Sequence, residues 1–395
     1  MIKFSSLLFL VLSCLLLDGV ACNTPPEKLN STRSPLYPND RHTARLCLQD
    51  HFYGTREVSY WVTDNGLAII DGDVIYGPID TLFSHSLLGN ATANLTARAH
   101  SVAVGQGHTW PSANIMYKFD SASTETLLSA TVNGAIAKWK AVAPYLTFTK
   151  VANSASPQNG VAMIQAPSCG GCSSSIGYAN APLNMLLQQS CTPSPGFCGV
   201  AEATHEFGHL LGLYHEHQRR DRESFVHYHC ENLDPTCPTG TTMPAGKTCC
   251  DSGIPSGCCT KAGNFNVLSG ANFDASGSFD ANSIMMYISG AFAKPGTDTL
   301  TPVAPGLVLR TSNPSDIDSL DVQRVCKLYA AQCPRAQSCK AAGCPATCSE
   351  LTFCNKPSLC DNPRNGSPPC CEGIPNPTCT RKLAQCTSMG CDFLI

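Results

Sequence analysis

The 395-residue chain has little charge: only 14% of its residues are Asp, Glu, Lys or Arg, and the formal net charge is −3. It contains no Lys/Arg-rich run, which argues against a nucleic-acid partner. Beyond the N-terminus no apolar run approaches membrane-spanning length, so no membrane span is expected. At this length the chain has room for two or more domains and a sizeable core.

Cysteine, by contrast, is abundant, at 25 residues. That density implies an oxidising compartment and many disulfides. The N-terminus points the same way: Lys3 precedes an apolar run from Leu7 to Leu17, and Gly19-Val20-Ala21 fits a signal-peptidase site. Residues 1–21 therefore read as a signal peptide, and the protein as secreted and extracellular. Asn30, Asn90, Asn94 and Asn365 each open an Asn-x-Ser/Thr acceptor sequence for glycans. Removing Cys14 with the signal leaves 24 cysteines: two before residue 99, twelve from Cys169 to Cys333, ten from Cys339 to Cys391. Even counts in each block suggest separately cross-linked units without fixing connectivity.

Residues 22–98 read as a polar pro-segment. Within it, apolar residues flank Asp71-Gly72-Asp73, a pattern that suits a β-hairpin turn. From Trp110 the pattern becomes globular. Asn114–Phe119 predicts a strand. Ser121–Ala143 predicts a helix whose Leu128, Val132, Ile136 and Trp139 form one apolar stripe. Tyr145–Val151 and Val161–Gln165 predict further strands. Cys169-Gly170-Gly171-Cys172 reads as structural disulfide cysteines, with Cys191 and Cys198 as the nearest partners, rather than as a redox motif. Cys230–Cys259 holds six cysteines among Gly, Pro, Ser and Thr and reads as a disulfide-knotted loop. Ile317, Leu320, Val325 and Leu328 mark a C-terminal helix. Residues 334–395 form a cysteine-dense module too small for a large core. His217, His227 and His229 lack ligand spacing and are expected at the surface.

The chain is organised around His205-Glu206-Phe207-Gly208-His209-Leu210-Leu211-Gly212-Leu213-Tyr214-His215. On a helix His205 and His209 share one face, four residues apart. Gly212 can take a left-handed backbone, end the helix and bring His215 back as a third nitrogen ligand. Three protein ligands leave a fourth position open for water, the mark of a catalytic rather than a structural zinc. Glu206 follows the first ligand directly, so its carboxylate can reach that water. A chance match to all five fixed positions of this H-E-x-x-H-x-x-G-x-x-H pattern is about 10⁻⁷ per position from average usage.

Three features resemble the astacins, secreted zinc endopeptidases of the metzincin group. Glu216 follows the third histidine. His215-Glu216-His217-Gln218-Arg219-Arg220-Asp221-Arg222 is similar to that family's H-E-H-x-R-x-D-R, and Ser283-Ile284-Met285-Met286-Tyr287 to its Met-turn, S-x-M-H-Y. The likeness covers roughly residues 100–333. It implies one zinc ion held by His205, His209 and His215, with Glu206 as general base and Met285 as an apolar floor below the metal. Tyr287 would be a further ligand that swings away to stabilise the transition state, and Glu216 would meet the N-terminal ammonium of a mature chain. Ile70-Asp71-Gly72-Asp73 resembles the pro-segment motif F-x-G-D, whose aspartate caps the zinc. Cys172 with Cys198 would match one family disulfide. Two departures are Met286 for the usual histidine and Ile70 for phenylalanine.

The resemblance implies an α+β fold of two subdomains, with a twisted mixed sheet, an active-site helix and a Met-turn. A catalytic domain would span 99–333, with 230–259 as an insertion and 334–395 as a module for an unknown extracellular target. The expected function is zinc-dependent hydrolysis of peptide bonds in protein or peptide substrates, from a latent zymogen. The alternatives are another metzincin-type protease or a non-catalytic, cysteine-rich binding protein.

Overall fold

A computed structural model describes residues 44–50, 54–86, 109–155, 159–190, 197–237, 240–255, 257–268, 277–341, 386 and 391. The expected signal peptide, the four glycan acceptor sites, Arg98 and most of the cysteine-dense module lie outside these residues.

The fold is α+β. Four strands come from the N-terminal stretch: β1 (Ala44–Asp50), β2 (Gly54–Val62), β3 (Leu67–Ile70) and β4 (Val74–Pro78), followed by the short helix α1 (Ile79–Ser84). Then come β5 (Asn114–Phe119), α2 (Ala122–Val142), β6 (Thr147–Lys150), β7 (Ala162–Gln165), β8 (Cys172–Ser174), β9 (Leu183–Leu187) and α3 (Val200–Leu211). All nine strands form one sheet in the order β1-β2-β3-β4-β8-β9-β7-β5-β6. β5, β6, β7 and β9 are mutually parallel, β8 is antiparallel to β9, and β1 to β4 form an antiparallel meander. The meander joins the rest through a parallel contact of β4 with β8, Val74 opposite Ser174, where the Ser174 N–H donates to Asp73 O at 2.9 Å.

This corrects the reading of the N-terminal stretch as merely polar. Leu46, Leu48, Val58, Tyr60, Ala68, Ile70, Val74, Tyr76 and Leu82 form a buried cluster that also takes in Ile176, Tyr214 and Leu268. The opposite faces of β3 and β4, with Ile69 and Ile75, pack with Trp61, Leu67 and Leu186. The strand alternation is legible in Leu46-Cys47-Leu48 and Val58-Ser59-Tyr60, but two-sided burial hides it.

α2 has Ser121 as its N-cap, whose hydroxyl accepts from the Thr124 N–H. Its buried stripe is Leu128, Val132, Ala135 and Trp139, with Ile136 only partly buried. That stripe meets α3 and the sheet in the main core, which includes Ile115, Phe119, Ile164, Met185, Phe207 and Leu210. The strand expected over Tyr145–Val151 is shorter, because Tyr145 and Leu146 turn in towards the core.

Beyond α3 the chain is irregular. β10 (Val226–Tyr228) pairs with β11 (Leu300–Pro302), and α4 (Ser319–Leu328) and α5 (Pro334–Ala341) follow. The six cysteines of 230–259 pair among themselves as Cys230–Cys250, Cys237–Cys258 and Cys249–Cys259. Cys172 bonds Cys198, Cys326 bonds Cys333 and Cys339 bonds Cys391, while Cys169 is also disulfide-bonded. No helix among the described residues is long and apolar enough to cross a membrane.

Candidate metal centre and active site

The site begins with α3. Glu202 reaches back to accept the Gly199 N–H at 2.9 Å, which satisfies a donor at the helix start. Gly212 ends the helix at φ +107, its N–H bonded to His209 O, while the Leu213 N–H returns to Gly208 O. The helix is tied to the core by Trp110 Nε1 to Leu210 O, Trp139 Nε1 to Thr204 O, and the Tyr329 hydroxyl to Leu211 O.

His205, His209 and His215 converge with Asp73, one ligand atom of each lying within 4.8 Å of the others. His205 Nδ1 donates to Ile284 O at 2.7 Å and His209 Nδ1 to Leu213 O at 2.8 Å. A carbonyl can only accept, so both protons sit on Nδ1 and both Nε2 lone pairs face the centre. Those two Nε2 atoms are 3.1 Å apart. Burial pushes the pKa of His209 down to about 4, so this ring is neutral at pH 7. Two nitrogens at that separation need a proton or a metal cation between them. Tetrahedral zinc with Zn–N near 2.0–2.1 Å sets two such nitrogens about 3.3 Å apart. The residues present fit a zinc ion.

Asp73, from the turn between β3 and β4, supplies the fourth side of the centre. Its carboxylate oxygens are 3.1 Å from His215 Nε2 and 3.5 Å from the Nε2 atoms of His205 and His209. The turn is both the hairpin that the spacing suggested and the route by which a carboxylate reaches the histidines. Asp71 holds a positive φ of 54 and pairs with the buried Arg56 at 2.5 Å. Gly72 has φ +97, and a Cβ added there would lie 2.5 Å from Tyr287 Oη and 3.1 Å from Asn264 Nδ2. The flanking Ile69, Ile70, Val74 and Ile75 build the two strands of the hairpin.

Glu206 is buried, and its Oε2 has no hydrogen-bond partner. Burial first, then the charge of Asp73, raises its pKa well above the usual carboxylate range. Met285 lies under the helix: a Cβ added at Gly208 would meet its sulfur at 2.6 Å. The turn that carries it is held by a residue the sequence reading did not single out. Asp321 accepts from the Ser283 hydroxyl at 2.6 Å and from the Ile284 N–H at 2.8 Å. Its position in the first turn of α4 resembles an ordinary helix cap, so nothing in the sequence marked it.

The Tyr287 hydroxyl donates to Asp71 O at 3.0 Å. The ring stacks on His217, centroids 4.0 Å apart and 26° from parallel. His217 is therefore not a surface residue. It is fully buried, with Nε2 donating to Asn264 O at 2.9 Å. His227 is exposed, its Nδ1 3.3 Å from a Glu223 carboxylate oxygen, as a surface histidine would be. Glu216 is buried and accepts from Arg324 at 2.7 Å, from Arg219 at 3.3 Å and from the Asp280 N–H at 2.8 Å.

A family model described as astacin, a peptidase family, matches residues 103–241. Over these residues the chain is similar to the astacin family. Among its relatives, the zinc metalloproteinase nas-5 of Caenorhabditis elegans is 28% identical over 165 residues, covering 40% of this chain and 37% of that protein. The astacin-like metalloprotease toxin 1 of Loxosceles intermedia is 30% identical over 168 residues, covering 41% of this chain and 52% of that protein. The chain thus spans about half or less of the length of these astacins. Among solved structures, the hatching enzyme high choriolytic enzyme 1 of Oryzias latipes is 22% identical, with a TM-score of 0.42, over 56% of this chain and 94% of that one. The astacin match contains α3, all three histidines and Glu206, and ends inside the knotted loop; Asp73 and Tyr287 lie outside it.

Proposed function

We propose that this protein is a secreted zinc endopeptidase made as a latent precursor, with 22–98 as its pro-segment and 99–333 as its catalytic domain. The observation that carries the reading is the convergence of three histidine Nε2 atoms and one carboxylate beside a buried, unpartnered glutamate oxygen. His205, His209 and His215 would hold the zinc. The ion supplies Lewis-acid polarisation and a water of lowered pKa.

The remaining chemistry belongs to the chain. Glu206 Oε2 receives the proton of the attacking water and passes it to the leaving nitrogen of the peptide. Its raised pKa suits an acceptor that must also give the proton up. The Tyr287 hydroxyl, once released from Asp71 O, donates to the scissile carbonyl oxygen as charge gathers there. Met285 keeps the floor below the histidines apolar. In the precursor Asp73 occupies the water's place, so Glu206 has nothing to deprotonate. A cut within the stretch that contains Arg98 and Ser101 severs the chain connection to the pro-segment and creates an ammonium able to compete for Glu216. The protein carries glycans at its Asn-x-Ser/Thr sites, and residues 334–395 form a module for an extracellular target.

The relatives' names, zinc metalloproteinase and metalloprotease, support the reaction class. The decisive test is Glu206→Gln in the processed protein. The variant should bind zinc stoichiometrically and lose peptidase activity by several orders of magnitude. Turnover near that of the unsubstituted, metal-loaded protein would remove Glu206 from the reaction.

A further inference from the structure

We infer that Asn264 is a further catalytic residue, its side-chain N–H donating to the scissile carbonyl oxygen beside the Tyr287 hydroxyl. This rests on the peptidase reading given above and adds to it a residue that the zinc-site motif does not contain.

Asn264 belongs to the short 3-10 helix Thr260–Phe265 that follows the knotted loop. It is 2% exposed. Its backbone is anchored on the active-site side: Asn264 O accepts from His217 Nε2 at 2.9 Å and from Gln218 Nε2 at 3.3 Å. On the other side Gly263 lies against Ser59 so closely that an added Cβ would be 2.6 Å from the Ser59 backbone nitrogen. The helix is thereby wedged between β2 and the chain leaving the third histidine.

Despite this anchoring, Asn264 Nδ2 has no hydrogen-bond partner. A buried, unpaired amide donor costs about 1–3 kcal/mol, so a position that keeps one calls for a partner supplied at another stage. The direction of the donor identifies that stage. It faces Gly72, immediately before Asp73, from beside the Tyr287 hydroxyl: these two groups supply the three atoms nearest the point a Cβ at 72 would occupy. Asp73 in turn reaches the three histidines. Both donors therefore face the space beside the metal that a peptide must enter when the turn leaves.

In the structure Tyr287 has its acceptor, Asp71 O, and Asn264 has none. A substrate carbonyl at that point would satisfy both. As the carbonyl carbon becomes tetrahedral its oxygen gains charge, and two preorganised donors there stabilise it more than they stabilise the uncut peptide.

The test uses the full chain after limited proteolysis. Asn264→Ala removes the donor, and Asn264→Asp keeps the shape while replacing the donor with an acceptor. Each should lower kcat by about 10²-fold, comparable to loss of one oxyanion donor. KM should stay within about threefold, because the bond strengthens late. Binding of a peptide phosphinate, whose tetrahedral centre imitates the transition state, should weaken by the same factor as kcat/KM. Binding of the uncut peptide, measured in a Glu206→Gln background, should not change.

A kcat equal to that of the unsubstituted enzyme, or a change confined to KM, overturns the assignment. So does phosphinate binding that leaves the Asn264 side-chain amide proton unshifted in a nitrogen-15 spectrum of the unsubstituted protein, a reading that needs no variant to fold. The two levels separate cleanly. A processed, zinc-loaded protein that cleaves no peptide fails the peptidase reading, whereas an active enzyme insensitive to Asn264 fails only this one.

Discussion

Substituting Gly72 by alanine in the precursor perturbs the position of Asp73 without touching a ligand. The backbone at 72 has φ +97, a region that costs an L-residue about 1–2 kcal/mol. The new Cβ would also lie 2.5 Å from Tyr287 Oη, so the hydroxyl must leave Asp71 O and forfeit a hydrogen bond of about 1 kcal/mol. Together these give about 2–3 kcal/mol against the capped state. At tenfold per 1.4 kcal/mol, the uncapped fraction rises roughly 30- to 150-fold. The assay is turnover of a fluorogenic peptide by full-length protein carrying Arg98→Gln to suppress processing, with Asp73→Ala as the reference for full uncapping. Gly72→Ala should raise activity by that factor while remaining below Asp73→Ala. Once the pro-segment has been cut and removed, the variant should match the unsubstituted enzyme, since residue 72 has departed. If Gly72→Ala stays silent while Asp73→Ala is active, close packing at 72 does not hold the cap. If both stay silent, Asp73 is only a turn residue.

Two further outcomes follow from buried groups. Tyr287→Phe should lower kcat about 10²-fold with little change in KM, because its bond to the developing oxyanion forms late; a change confined to KM would make Tyr287 a binding residue. Asp280 is buried beside Asp321 and Asp318, and burial first, then their charges, raise its pKa to about 7. A folded-state pKa above the unfolded value of about 3.9 contributes stability that is complete below that value and is lost as the pH rises through 7. The protein should therefore lose a few kcal/mol from this group between about pH 4 and pH 8, and Asp280→Asn should not. Melting temperatures of the two across that range should diverge with pH, and a constant difference would sink the assignment.

The secondary structure nearest the metal was legible because its signals are local. Asn114–Phe119 and the α2 stripe follow from periodicity, and Gly212 from the need to turn the chain. The three histidines are set by helical spacing and one left-handed residue. What stayed hidden depends on contacts distant in sequence. His217 looked like one of several surface histidines, because its burial is made by Tyr287 and Phe265, 70 and 48 residues later. Asp321 and Asn264 carry no pattern of their own. The strands β1 and β2 of the N-terminal stretch were missed for another reason. Their sheet is covered on both faces, so the simple alternation of a one-sided strand is blurred.

The parallel contact between β4 and β8 has a consequence for how the proposed precursor would come apart. Residues 44–86 hold the rest of the chain by more than connectivity. Their buried cluster closes over Tyr214 and Leu268, Arg45 donates to the carbonyls of Cys258 and Cys259, and Asn266 Nδ2 donates to Glu57 O. A cut in the stretch 87–108 breaks one covalent bond and none of these contacts. In the latent precursor proposed above, these contacts would go on holding the fragment in place after the cut. Scission and onset of activity would then be separate events, the second set by how firmly the fragment is held.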